Sequence, residues 1–159
     1  MTATSRIDVV RHVVRIVRAE PLRLAVVRRT LRPDELQAVW PKALDEVWAF
    51  VRRQGIKAGR NVMVYRGAGS GMLALEAGVE VFGPVPVDEA VVESQTPGGR
   101  AVTTEHWGSY DGIALAHAAV RRHCEAEGLM LGAVNWEVYG HYPADKTPPL
   151  TEVFYSLAD

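Results

Sequence analysis

Gly128-Leu129-Met130-Leu131-Gly132 stands 73 residues after Gly55-Ile56-Lys57-Ala58-Gly59, and Val138-Tyr139 stands 74 residues after Val64-Tyr65. In both places a glycine closes an amphipathic stretch, a second glycine follows four residues later, and an apolar run comes next. The first glycine of each pair is expected to end a helix in the left-handed conformation, and the second to permit the turn into a strand. Upstream of Gly55, Pro33-Asp34-Glu35 opens a helix, with proline in the first turn and acids at the positive end of the dipole. Its apolar face holds Leu36, Val39, Trp40, Leu44, Val47, Trp48 and Val51, and Pro41 is expected to interrupt or restart it. Upstream of Gly128, Tyr110 to Glu127 reads as a helix with Ile113, Ala116, Ala119, Val120, His123 and Cys124 near one face.

The flanks read as strands. Val13 to Arg18 and Leu22 to Val27 form one long strand broken at Glu20-Pro21. A helix through Ile7, Val10, Val14 and Val17 competes for its start. Asn61 to Tyr65 and Met72 to Phe82 are strands around a turn at Gly67-Ala68-Gly69-Ser70-Gly71. That glycine run is not a dinucleotide fingerprint, because Met72 stands where a glycine is required and a strand, not a helix, follows. In the second half, Arg100 to Trp107, Val134 to Tyr139 and Leu150 to Leu157 are strands, the last reached through a loop from Pro143 to Pro149. Pro84 to Gly99, rich in proline, glycine and acids, reads as a linker.

Strand, helix, strand, strand therefore occurs twice. The expected fold is α+β: one domain over residues 1–159, with repeat one at about 13–83, a linker at about 84–99 and repeat two at about 100–157. The two units join their strands in an antiparallel sheet with helices on one face. The uncovered face, or the seam between repeats, is the expected concave surface.

Composition agrees. The chain has 159 residues, 48% apolar and 23% charged, which argues against disorder and coiled coils. Cys124 is the only cysteine, which excludes an intramolecular disulfide and a cysteine-only zinc site. No apolar run approaches the roughly 18 residues of a membrane span, and charges interrupt the N-terminal stretch where a signal-peptide core would lie. A cytoplasmic location without membrane contact is expected. Residues 1–60 carry 13 Lys and Arg against 6 Asp and Glu, and residues 61–159 carry 5 against 13. The basic half lacks any groove-reading motif, so no direct DNA binding is expected. The acidic half would favour cations in a site.

The set His106-Trp107-Gly108-Ser109-Tyr110, Glu127-Gly128-Leu129, Glu137-Val138-Tyr139 and Leu150-Thr151-Glu152-Val153 resembles the GyrI-like (gyrase-inhibitor-like) small-molecule-binding family. That family includes effector-binding domains of multidrug-sensing transcription activators. The resemblance implies a ligand pocket between the repeats, with aromatic side chains around a buried glutamate at Glu137 and Tyr139 two positions on. The activators carry a separate DNA-binding domain for which this chain has no residues left, so a stand-alone form is expected.

Alternation puts Asn135, Glu137, Tyr139 and His141 on one strand face and Trp136, Val138, Gly140 and Tyr142 on the other. A carboxylate on a largely buried strand is costly unless paired. Arg66 could satisfy Glu137 structurally, or the group could await a ligand. Desolvation is expected to raise its pKa. The candidate ligand-binding residues are Glu137, Tyr139, Trp107, Tyr110, Tyr65, Trp136, Tyr155 and His106, with His106 also read as a structural partner. Trp40, Trp48 and Cys124 are read as core. His117 and His123, six apart, do not share a helix face as a metal pair would, and no HExxH pattern is present. Neither metal nor cofactor is expected.

Rings around a carboxylate suit hydrophobic, aromatic, often cationic small molecules, bound for sequestration or sensing. The resemblance adds two alternatives. One is hydrolysis that opens cyclopropane rings of DNA-alkylating natural products. There Glu137 would orient or deprotonate water, and Tyr139 or Tyr110 would hydrogen-bond the developing oxyanion. The other is inhibition of a topoisomerase by protein contact.

Overall fold

The computed structural model describes residues 12–67, 69–140 and 150–158. In chain order they form β1 (Val14–Ala19), β2 (Arg23–Leu31), α1 (Leu36–Gln54), β3 (Ala58–Gly67), β4 (Leu73–Val81), β5 (Val91–Gln95), β6 (Gly99–Trp107), α2 (Ile113–Glu127), β7 (Leu131–Tyr139) and β8 (Leu150–Leu157). The fold is α+β. All eight strands join one sheet in the order β1-β6-β8-β7-β3-β4-β2-β5, with antiparallel neighbours throughout. Within it, β6-β8-β7 is mirrored by β3-β4-β2, and the two triplets meet where β3 pairs β7: Asn61 opposite Tyr139, Met63 opposite Glu137, Tyr65 opposite Asn135.

Two stretches differ from the sequence reading. The long strand broken at Pro21 is two strands that pair at opposite ends of the sheet, β1 with β6 and β2 with β4. The stretch read as a linker holds β5, which pairs with the outer edge of β2. The hydrogen-bonding edge of β2 offers what a proline-rich sequence reading cannot see, a template for Val91–Gln95.

Only three residues separate β1 from β2, and three separate β5 from β6, although these strands lie at opposite ends of the strand order. Three residues reach only about 10–14 Å, so the sheet must curl until its ends meet. Leu22 and Thr96 tie them: the Leu22 amide donates to Thr96 Oγ1 at 2.8 Å, and the Thr96 amide donates to the Leu22 carbonyl at 3.1 Å. Inside the curl, Leu24, Val26, Val62, Val64, Ala101, Trp136 and Val138 form one cluster, none more than 2% exposed. Leu24 and Ala101 meet there from β2 and β6, which are not neighbours in the sheet. The face without helices is thus filled by its own side chains.

The other face carries both helices, α1 over β2 and β4, and α2 over β6, β8 and β1. Ala43, Leu44, Val47, Phe50 and Val51 bury the inner side of α1. Ala116, Val120 and Cys124 bury that of α2, so Cys124 is core. Gly55 and Gly128 end the helices at φ 66° and 68°, as their spacing suggests. Gly59 and Gly132 do not make turns. They lie inside β3 and β7 where the pairing register slips, and a Cβ would stand 2.7 Å from Glu80 Oε1 and Ser156 Oγ, respectively. Glycine serves there for close approach at a bulge.

A 3-10 turn, Pro33–Glu35, precedes α1, and Pro41 lies inside the helix without breaking it. It is the sixth helical residue, so its missing N–H leaves only the Gln37 carbonyl without its helical donor. The loop Pro143 to Pro149, His141, Tyr142 and the helical alternative at the N-terminus lie outside the described residues. Among the described residues, no helix is long and apolar enough to cross a membrane.

Candidate functional site

The helices leave a gap above the β3–β7 seam. Strand parity turns Glu137 and Tyr139 of β7, and Asn61, Met63 and Tyr65 of β3, toward this gap. α1 walls one side with Leu36, Gln37, Trp40 and Leu44. The start of α2 walls the other with Tyr110, Asp111, Ile113, Ala114 and His117. The cavity between them measures about 540 Å³. A wider depression of about 650 Å³ lies on the outer side of α2, beside His12, Val14, Arg122 and His123. It is open to solvent, and no Tyr, Trp or Phe ring and no buried carboxylate lines it.

Glu137, 5% exposed, forms the cavity floor. Its Oε1 accepts hydrogen bonds from the hydroxyls of Tyr65, at 2.9 Å, and Tyr139. Its Oε2 lies 2.5 Å from His117 Nε2. His117 Nδ1 is 2.6 Å from the Tyr155 hydroxyl, which also accepts from Arg121 at 3.2 Å. Burial is the largest single influence on Glu137 and pushes its pKa up. His117, Tyr139 and Tyr65 together outweigh it and hold the carboxyl below its usual value. The upward shift expected from desolvation alone is therefore reversed. The same packing raises Tyr65 and Tyr139 well above the ordinary phenol value, first by burial and then through the neighbouring charges. The floor is an ionised carboxylate beneath neutral phenols.

The structure brings Glu137, Tyr139, Tyr65 and Tyr110 together at the cavity. Tyr110 is half-exposed at the rim and meets Tyr139 edge-on, with ring centres 5.8 Å apart. Tyr155 stands behind His117 instead of lining the cavity. Trp136 is not brought to the site: it points into the curl and stacks on Phe154, with ring centres 5.2 Å apart. Trp107 is half-exposed at the end of β6 and does not line the cavity. His106 is buried, with Nε2 2.7 Å from the Ser109 carbonyl and Nδ1 3.1 Å from His12 Nε2. It supports the turn that carries Tyr110, a positioning task.

Arg66 is not the partner of Glu137. It pairs with Glu76 at 3.0 Å, because Arg66 and Glu137 lie on opposite faces of the sheet. Trp40 and Trp48, read as core, both pack against the core cluster; Trp40 also lines the cavity, and Trp48 donates to Asn61 Oδ1 at 2.8 Å. His117 is the group that sequence reasoning missed. Its signal was the i, i+4 spacing Ile113, His117, Arg121, which aligns one stripe of α2 with the seam.

Every acid–base group on the floor is tied to another: both oxygens of Glu137 and both nitrogens of His117 are engaged. Such a floor presents a carboxylate and ring faces to the cavity. Among the described residues, no cluster of three or more His, Cys, Asp or Glu is placed to hold a metal.

The family model described as GyrI-like small molecule binding domain matches residues 12–156. By sequence, no curated protein matches at a significant level. Among solved structures, the EcmrR C-terminal domain is 16% identical with a TM-score of 0.73, the match covering 93% of this chain and 98% of that one. SAV2435 bound to tetraphenylphosphonium is 10% identical with a TM-score of 0.70, over 92% of this chain and 94% of that one. A hydrolase from Listeria innocua is 13% identical with a TM-score of 0.60, over 98% and 96%. At these identities the likeness is one of fold.

Proposed function

The chain belongs to the GyrI-like small-molecule-binding family, and we propose that it binds hydrophobic, aromatic, cationic compounds in the cavity over Glu137, to sequester or sense them. The observation that carries this reading is a buried carboxylate, held below its usual pKa, beneath a cavity of about 540 Å³ walled by tyrosine and tryptophan rings. A flat cation gains from the rings, about 0.5–2 kcal/mol per cation–π contact, and from a buried charge that water screens less than it would at the surface. Asp111 at the rim adds to the same field. The likeness to SAV2435, a protein seen with an aromatic phosphonium, supports a ligand of this class.

The test is titration calorimetry with tetraphenylphosphonium. Glu137→Gln keeps an acceptor for the two phenols and removes the charge. It is expected to weaken binding by about 1–3 kcal/mol, the size of losing a charged partner in a dry site. Equal affinities would remove the role assigned to the carboxylate.

A second reading is hydrolysis of cyclopropane-bearing alkylators, with Glu137 orienting water and Tyr139 or Tyr110 donating to the developing oxyanion. The fold likeness to a hydrolase and the three groups lining one cavity support it. The lowered pKa of Glu137 makes it a weak base and speaks for binding instead. Incubation with such a compound and mass spectrometry separates the two: turnover beyond stoichiometry makes the protein an enzyme, and unchanged compound leaves it a binder.

A further inference from the structure

We propose that His117 sets the charge class of the ligand: without its extra proton the cavity floor is anionic and takes organic cations, and with it the floor is neutral and takes uncharged ring compounds. This rests on the binding reading above and adds a proton balance to it. Binding a cation to the protonated form expels one proton from the imidazole to solvent; the positive charge on His117 is replaced by that of the ligand.

The geometry supports both states without rearrangement. In the neutral ring, Nε2–H donates to Glu137 Oε2 at 2.5 Å, and Nδ1 accepts from the Tyr155 hydroxyl at 2.6 Å. In the charged ring, Nδ1–H donates to the Tyr155 oxygen, and the Tyr155 proton rotates away. The phenol oxygen keeps its bond from Arg121 at 3.2 Å in either case. One hydroxyl rotation is therefore the whole structural change, and both nitrogens of His117 and both oxygens of Glu137 keep their partners.

Charged and titratable groups face His117 from several elements. Glu137 on β7 favours the proton, and so does Asp111, in the turn before α2. Arg121, one turn along the same helix, opposes it through Tyr155 of β8. Tyr65 of β3 and Tyr139 of β7 reach His117 only through Glu137 and stay neutral. α1 faces the cavity with Leu36, Gln37, Trp40 and Leu44, none ionisable. Among the described residues that line the cavity, His117, with a side chain 14% exposed, is the only histidine, and histidine is the side chain type that exchanges a proton near neutral pH.

The experiment compares tetraphenylphosphonium with neutral triphenylphosphine oxide by calorimetry across about pH 5–8, in two buffers of different ionisation heat. The cation is expected to bind more weakly toward acid, by about tenfold per pH unit where the linkage is complete, with release of up to one proton. The oxide is expected to show no such loss. His117→Gln, whose amide can still donate to Glu137, should flatten the cation's pH profile. A flat, proton-neutral profile for the cation in the wild type, or an unchanged slope in His117→Gln, overturns the inference while leaving cation binding intact. If neither compound binds at any pH, the binding reading itself falls and takes this one with it. Should the variant fail to fold, imidazole ¹⁵N spectra of the wild type decide: a His117 ring that keeps its proton when the cation saturates the site refutes the proposal.

Discussion

Strand parity on β7 sorts its side chains into two populations with different jobs. Glu137 and Tyr139 face the cavity, and Trp136 and Val138 face the inside of the curled sheet. The two tryptophans proposed for the site therefore separate by stability. Trp136→Ala is expected to cost about 3–5 kcal/mol in urea unfolding, the range for truncating a buried aromatic, since the ring is 2% exposed and stacked on Phe154. Trp107→Ala, at a residue 53% exposed, should change stability by less than about 0.5 kcal/mol. A reversed order would contradict the placement of Trp136. Parity was legible in the sequence: alternation alone sets Trp136 opposite Glu137, and grouping it with the ligand residues ignored that. His117 was not legible, because its meeting with Glu137 depends on how α2 is rotated over the sheet. The pKa of Glu137 followed suit. Sequence shows that the group is buried, and only the packed structure shows the imidazole and two phenols that offset burial.

At the scale of elements, what positions the site is the way α2 begins. The 3-10 turn Tyr110–Gly112 hangs Tyr110 over Tyr139, and His106 supports the turn from below. A Cβ on Gly112 would stand 2.5 Å from His106 Cε1 and 2.9 Å from its Nε2. His106 is buried and hydrogen-bonded, so it cannot swing aside freely. Gly112→Ala is expected to lower stability by about 1–3 kcal/mol, as overpacking does. It should also weaken ligand binding, because the turn must shift and Tyr110 with it. Thermal melting and dye titration read the two effects, and wild-type values in both would remove the supporting role of His106. The helices themselves were visible in sequence through apolar spacing and terminal glycines, which are local signals. β5 was not visible, because Val91–Gln95 is a strand only by virtue of the β2 edge it pairs with.

Across the whole molecule, the curl places charge at its two mouths and hydrocarbon between them. At one mouth Glu76, 6% exposed, accepts from Arg28 Nε at 2.7 Å and Ser94 Oγ at 2.8 Å and pairs with Arg66. At the other, Arg60 spans Glu80 at 3.3 Å and Glu152 at 3.1 Å, joining β3 to β4 and β8. These ion pairs take up part of the lopsided charge of the sequence: Arg28 and Arg60 of the basic half meet acids from later strands, a pairing that composition by itself could not distinguish from a basic surface. Burial, the largest influence on Glu76, raises its pKa, but bonds from Arg28, Ser94 and Arg66 leave it lowered, as the partners of Glu137 do there. For both groups the folded value lies below the unfolded one, so the unfolded chain takes up protons first as pH falls. Their contribution is complete above the ordinary glutamate value of about 4.3 and is lost as pH falls through the lower folded values. The share of the urea midpoint owed to these two carboxylates is therefore expected to hold from neutrality to about pH 5 and to drop below it. Glu76→Gln should lower stability at neutral pH by about 1–3 kcal/mol, through the loss of a charged partner for two arginines. It should also shrink the acid drop, because one of the responsible titrating groups no longer exists. An acid profile identical to the wild type in Glu76→Gln would show that this mouth does not fasten the curl.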